Sequence, residues 1–442
     1  MDRRIAITGT GLASPAGDPH AFAAALRDGR SAVAEIARFD ASGFPSHIGG
    51  EVPQDYDPTE GVRKDQGRYI KKNRKVMARD IQLAMGATCR AVIDTGLPLG
   101  DPAGGETALP TIDHARFGMI FGTSFIPTTL EDLAAPVRAA RSDGRVDLKD
   151  WGAAGIEQMS PLWLLKHLPN MHACHAGILW DAQGPSNSLT CSDAGALVAL
   201  DEAVRILQRG TADIMVVGGA ESRVCPLLLI RYALLGRLVT AAVDPSSACR
   251  PFDRDRLGWV AAEAAVAAML EPMDMAEARG ARVWGEVLGT GVGMTTAGIN
   301  ACDADGRSVA AAVRRALEVA GVDPKDLGAV WAHGTGLQKQ DRSEAAGLAT
   351  ALGPAADTVP VTATKGVTGH IGAASGLADL SAALVLARDR HVPPILNCDH
   401  PDPEVHLNLV TGEGQELAGD LILVTTNAVG GQTAAAVVKL NR

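Results

Sequence analysis

The chain has 442 residues, 51 acidic against 41 basic side chains, and 46% hydrophobic residues. That length suits two or three domain-sized units or one large intertwined pair, and the composition excludes disorder, collagen and coiled coil. A net charge of −10 excludes a broad nucleic-acid or anionic-membrane surface, so an acidic partner must be met by a local basic patch.

Short apolar runs alternate with amphipathic ones along the whole chain, which predicts α/β layers around buried sheets. In chain order, Ile5–Thr8, Gly118–Gly122, Ile214–Gly218, Ala329–Ala332 and Leu421–Thr425 are expected as strands. Ala21–Leu26, Ala194–Gln208, Ser308–Ala320 and Ser343–Leu352 are expected as helices. Several strands end in Gly-rich turns (GTG, FGTS, VVGGAES, AHGTG, NAVGG), where backbone can approach a ligand. The polar stretch from Leu97 to Pro110 is expected as an exposed insertion. A boundary near Ser247–Gly258 divides the chain into an N-terminal unit, 1–255, and a C-terminal unit, 256–442.

Seven scattered cysteines with no C-x-x-C pair make neither a disulfide framework nor a zinc site. No long apolar segment follows the charged start, and Val260–Leu270 is interrupted by Glu263 and too short to span a bilayer. The expectation is a soluble cytoplasmic protein without metal or cofactor.

One position stands out. The strand-like Ser186–Ser192 runs into Asp193 and then AGALVALDEAVRIL, a helix almost free of polar groups in its first turns. A tight turn there aims Asp193 at the interior, where amides and helix dipole favour negative charge. Asp193 is either a helix cap or the occupant of a nucleophile position. Cys191, two positions earlier on the expected strand, would share its face but is read as a small apolar filler.

At these residues the chain resembles the β-ketoacyl–acyl-carrier-protein synthases and polyketide ketosynthases. GPSNSLTCSDAGALVAL (Gly184–Leu200) resembles the active-site segment, WAHGTG (Trp331–Gly336) the first histidine motif, and TKGVTGHIGAASG (Thr364–Gly376) the lysine and second-histidine motif. RRIAITGTGLASPAG, DIMVVGGAES, CRPFDRDR and VPPILN extend the resemblance over essentially the whole chain. The resemblance implies a thiolase fold, two pseudo-duplicated halves in five α/β/α/β/α layers, working as a dimer. It implies His333 and His370 as the decarboxylation and condensation histidines, Lys365 as their electrostatic support and Thr335 as a phosphopantetheine contact. It also assigns Asn427, Gly430 and Gly431 to the substrate loop.

The departures bear on activity. Asp193 stands where the family has its nucleophilic cysteine. A carboxylate attacks a thioester poorly, and the resulting mixed anhydride lies uphill. A malonyl carboxylate about 5 Å from Asp193 would cost roughly 3 kcal/mol at an effective dielectric near 20. Pairing of Asp193 with His333, His370 or Lys365 is expected to raise the histidine pKa values and hold them protonated. Leu337 replaces a pantetheine-contacting threonine, Leu257 an acidic residue, and NAVGGQT (Asn427–Thr433) a longer loop with a gating phenylalanine.

His172 and His175 are expected to be structural. The basic run from Arg68 to Arg79 is either a solvated face or, by resemblance, the docking site for acidic acyl carrier protein through Lys71, Lys72, Arg74 and Lys75. The implied role is a chain-length-factor-like subunit paired with a cysteine-bearing ketosynthase. The alternative is an independent enzyme, a decarboxylase or an unconventional condensing acyltransferase, acting through His333 and His370.

Overall fold

The computed structural model describes residues 3–441 except 299 and 429, with the side chain of Pro102 also left out. Ten strands form one sheet: β1 (Ile5–Ala13), β2 (Phe117–Thr123), β3 (Ser186–Thr190), β4 (Ile214–Ser222), β5 (Glu263–Pro272), β6 (Gly285–Met294), β7 (Ala329–Trp331), β8 (Val361–Thr362), β9 (Leu421–Asn427) and β10 (Gln432–Leu440). Their spatial order is β8-β7-β9-β10-β6-β1-β5-β4-β2-β3.

That order is one pattern used twice. Within each half the strands run first, fifth, fourth, second, third. In both halves the first–fifth and fifth–fourth pairs are antiparallel, and the fourth–second and second–third pairs are parallel. The halves meet where β1 pairs antiparallel with β6 through Ile5↔Val287, Ala6↔Glu286 and Ile7↔Gly285. The chain passes from one half to the other after Pro272, because β5 lies between β1 and β4. That is later than the expected division at 255/256.

Nine helices matter here: α1 (Pro19–Arg27), α2 (Lys64–Asn73), α3 (Arg79–Asp94), α4 (Met171–Trp180), α5 (Gly195–Gln208), α6 (Pro226–Leu234), α7 (Arg307–Ala320), α8 (Gln338–Leu352) and α9 (Ser375–Leu386). Strands apolar on both faces explain the layering. Along β5, Ala264, Val266, Ala268 and Leu270 face a central core with α5 and α9, while Ala265, Ala267 and Met269 face a core shared with α3 and α4. In the second half, Ile422 and Val424 join the central core, whereas Leu423 packs with α7 and α8. The result is α/β/α/β/α, the thiolase fold.

The buried ends of β5 carry charge that is fully met. Glu263 is held by Arg38, Arg79 and Ser222, and Glu271 by Thr8 and Arg279. Although burial opposes it, Arg38 and Arg79 hold the Glu263 carboxyl down to about 2.

Two expectations change here. The strand before Asp193 ends at Thr190, so Cys191 lies outside it and the shared-face argument fails. α8 begins at Gln338 rather than Ser343, because its polar first turn is buried: Gln340, Asp341 and Glu344 serve the site as hydrogen-bond partners. The segment from Leu97 to Pro110 is largely exposed, but Leu97 and Leu109 anchor it in the core.

Candidate active site

β3 leads through Cys191 into a single 3₁₀ turn, Ser192–Ala194, and then α5. Ser192 has φ +51°, a left-handed conformation that a serine adopts only at some cost. The turn can sit against β2 because Gly122 has no side chain: a Cβ there would lie 2.0 Å from the Gly195 carbonyl carbon. Asp193 is thereby driven inward and is 1% exposed.

Asp193 does not cap the helix. Its Oδ1 accepts from Arg223 Nη2, and its Oδ2 lies 3.6 Å from His370 Nε2, beyond a good hydrogen bond. Arg223 extends from the end of β4 and is itself buried. Its Nε donates to Glu221 Oε1 at 2.8 Å and its Nη2 to Glu221 Oε2 at 3.0 Å. Tyr232 and Trp259 flank the guanidinium, with ring centroids 5.2 and 5.1 Å away. Glu221 also accepts from the Ala373 amide at 2.9 Å, and only glycine fits at 372, where a Cβ would fall 1.9 Å from Glu221 Oε2.

The two histidines face each other across this pair. Their ring centroids are 5.2 Å apart and nearly perpendicular, and Trp259 packs edge-on against His370 at 4.4 Å. His333 follows β7, while His370 lies between Lys365–Thr368 and α9. Lys365 Nζ donates to His333 Nδ1 at 3.1 Å and to the His333 carbonyl. The Gly372 amide points at His370 Nδ1 at 3.4 Å. Each Nδ1 therefore accepts, so in the neutral rings each Nε2 carries the proton. Neither Nε2 has a hydrogen-bond partner among the described residues.

The histidines are neutral, contrary to the expectation that Asp193 would protonate them. Burial lowers both pKa values well below the ordinary value, with Lys365 and Arg223 adding to the effect at His333 and Arg223, His333 and Lys365 at His370. Asp193 spends its charge on Arg223, whose own pKa is raised: burial opposes this, but Asp193 and Glu221 outweigh it.

Asp193, His333 and His370 bring possible ligand atoms within 4.8 Å of one another, which invites a metal. The tautomers do not fit one. A ligating imidazole offers a bare Nε2 and donates from Nδ1, and here the donors run the other way. The arrangement is a pair of N–H donors suited to a carbonyl oxygen or oxyanion.

Beneath the histidines, Glu344 holds the turn. Its carboxylate accepts from the His333 amide at 2.7 Å, the Gly334 amide at 2.9 Å and Thr425 Oγ1 at 2.8 Å. Burial nevertheless pushes it up to about 7. Asp379, hydrogen-bonded to Thr364, is likewise raised by burial, to about 6. Thr335 is fully buried and its hydroxyl is engaged by Asp341 and Gln340. Asn427 accepts from Gln340 Nε2 through its carbonyl and Oδ1, leaving Nδ2 without a partner among the described residues. Gly430 and Gly431 turn the chain back into β10 with φ of +128° and +111°.

Residues 2–276 match the model described as beta-ketoacyl synthase, N-terminal domain, and residues 284–399 that of its C-terminal domain. The chain belongs to the β-ketoacyl synthase family. It is 30% identical over 431 residues to 3-oxoacyl-[acyl-carrier-protein] synthase 2 of Synechocystis sp., covering 97% of this chain and 96% of that one. It is 31% identical over 440 residues to the tetracenomycin polyketide synthase ketoacyl synthase alpha subunit of Streptomyces glaucescens, covering 99% and 97%. Among solved structures, the ishigamide ketosynthase/chain length factor superposes with a TM-score of 0.81 at 26% identity over the full length of both chains. A β-ketoacyl synthase from Burkholderia phymatum shares the fold with a TM-score of 0.85 at 24% identity, again over both full lengths. The protein is thus a ketosynthase-like member of fatty-acid or polyketide chain elongation.

Within this β-ketoacyl synthase framework, Asp193, His333, His370 and Lys365 converge as expected from their motifs, and Thr335 and Asn427 are near them through Gln340. Lys71, Lys72, Arg74 and Lys75 lie apart, exposed on α2 and the turn after it. Arg79, from the same basic run, is turned inward to Glu263. Arg223 and Glu221 were missed. Their signal was two opposite charges at alternate positions, Glu221 and Arg223, directly after the apolar, Gly-rich run IMVVGGA. Cys191 is half-buried, with its thiol raised by burial, which makes it a poor substitute nucleophile. His172 binds Asp80 at 3.0 Å and His175 binds Tyr69 Oη at 2.9 Å, both as structural partners.

Among the described residues, no helix is long and apolar enough to cross a membrane.

Proposed function

We propose that this chain is a non-condensing, chain-length-factor-like subunit that pairs with a cysteine-bearing ketosynthase acting on carrier-bound thioesters. The observation that carries this reading is the buried Asp193–Arg223 ion pair where the family's nucleophile stands. A carboxylate committed to a guanidinium is not free to attack a thioester, and no thiol replaces it. An unpaired sheet edge supports a partner: β3 bonds only to β2 among the described strands, and Phe125, Leu162, Leu164 and Ile178 expose apolar surface. The exposed Lys71, Lys72, Arg74 and Lys75 are proposed to receive the acidic carrier protein, and Thr335, Asn427, Gly430 and Gly431 to shape the pantetheine end of the site.

The test is intact-mass spectrometry of the purified chain with acyl- and malonyl-carrier protein, followed by native mass spectrometry after co-expression with a cysteine-bearing ketosynthase. The reading expects no acyl adduct and no β-ketoacyl product from the chain alone, and a 1:1 complex with the partner. A β-ketoacyl product from the chain alone would sink it.

A second reading rests on the two unpartnered Nε2–H groups. They can stabilise the enolate left when malonyl thioester loses carbon dioxide, which makes the chain a malonyl-carrier-protein decarboxylase. Conversion of malonyl- to acetyl-carrier protein, abolished by His333→Ala or His370→Ala, separates this from a purely partnering subunit.

A further inference from the structure

The buried site holds more hydrogen-bond donors than acceptors. His333 Nε2, His370 Nε2 and Arg223 Nη1 are all fully enclosed and all lack a partner among the described residues. Buried donors are almost always satisfied, so three of them around one carboxylate indicate a ligand that supplies acceptors. They are close together. Asp193 lies within reach of both histidines and is bonded by Arg223 through Nη2, the nitrogen adjacent to the orphaned Nη1. The two imidazole N–H groups can bond one oxygen, and Arg223 Nη1 can bond a second.

We infer that Arg223 is a specificity-determining residue that makes the site select a thioester whose acyl group carries a second carbonyl oxygen, a β-ketoacyl thioester, over a plain alkanoyl thioester. This rests on the reading that the site receives a carrier-bound thioester. The thioester oxygen takes the two imidazole N–H groups, and the β-keto oxygen, two carbons further along the acyl group, takes Nη1. A neutral keto oxygen suits this place better than a carboxylate. Arg223 already faces two carboxylates, Asp193 and Glu221, and a third negative charge would be repelled by both. An alkanoyl chain of the same length would leave Nη1 buried and unpaired, the situation that sites built to bond an oxygen reject most strongly.

The experiment is calorimetric titration of the purified full chain with acetoacetyl-pantetheine and with butyryl-pantetheine, which differ in the β-keto oxygen. Acetoacetyl-pantetheine is expected to bind about tenfold tighter or more. In Arg223→Lys, which keeps the charge facing Glu221 and Asp193 but loses the forked head group, the ratio is expected to fall below about threefold. Circular dichroism and a urea transition establish that this variant folds. Should it not fold, Tyr232→Phe, which leaves the guanidinium in place, is expected to keep the wild-type ratio. Equal binding of the two thioesters by the wild type overturns the inference and leaves the thioester site standing. Discrimination that persists in Arg223→Lys also overturns it. Binding of neither thioester removes the thioester-site reading, and this inference with it.

Discussion

Arg223 and Asp193 form an ion pair with both side chains about 1% exposed, one from the end of β4 and the other from the turn that opens α5. Glu221 completes the group on the far side of the guanidinium. Charges this deep persist only when mutually satisfied, and loss of one partner leaves the others uncompensated. Arg223→Met strands two carboxylates and should cost about 3–5 kcal/mol. Asp193→Ala leaves Arg223 with Glu221 and should cost less, about 1–3 kcal/mol. Arg223→Met combined with Asp193→Asn should be more stable than Arg223→Met alone. Urea unfolding of the three variants and of Asp193→Asn checks this, and additive effects of Arg223→Met and Asp193→Asn would mean that the pair is not coupled.

Two buried glutamates give stability opposite slopes with pH. Glu263 is held down to about 2, below its ordinary value. Its contribution is complete above about pH 4.5 and is lost as pH falls towards 2, because the unfolded chain then binds the proton more readily. Glu344 is raised to about 7, so the folded protein binds the proton more readily, and stability falls as pH rises from about 4.5 to 7. Each slope amounts to about 3 kcal/mol across its window. Glu263→Gln should flatten the acid limb alone, and Glu344→Gln the limb towards neutrality alone, in urea midpoints measured from pH 3 to 8.

The strand-and-helix alternation was legible because β2, β4 and β9 are short, mostly apolar buried runs set between amphipathic helices such as α5 and α7, and the three motifs bring their side chains into one buried cluster. The halves' shared strand order was not, since β5 crosses back between β1 and β4 and such a pairing leaves no periodic mark. The charge state of the site was hidden for a related reason. Asp193 and the two histidines could be placed together from their motifs, but the cation that answers Asp193 comes from β4, thirty positions away along the chain. Without Arg223, the histidines look like the partners of Asp193. With it, they are neutral donors.

The basic face of α2 should govern carrier-protein association. Lys71, Lys72, Arg74 and Lys75 are exposed in a protein of net charge −10, and no ion pair ties them down among the described residues. Reversal of all four to glutamate is expected to weaken binding of an acidic acyl carrier protein at least tenfold at low ionic strength, chiefly through the association rate. The difference should shrink as salt rises through about 0.15 M. Surface-plasmon-resonance titrations at several salt concentrations test this, and an unchanged rate would place the docking surface elsewhere.

Lys365 sets the tautomer of His333, so its removal should be visible at the ring. With Nζ donating to Nδ1, the proton of the neutral imidazole sits on Nε2 and faces the site. Lys365→Met deletes that donor and also one of the cations that depress the histidine pKa, while burial continues to depress it. The expected result is a mixture of Nδ1–H and Nε2–H forms of His333 in nitrogen-15 spectra, where the wild type shows Nε2–H alone. His370 should keep its tautomer, because its Nδ1 is met by the Gly372 amide rather than by Lys365. If His333 still shows only the Nε2–H form in the variant, the lysine does not set its tautomer. If both rings change together, the two histidines are coupled more tightly than their separate Nδ1 partners imply.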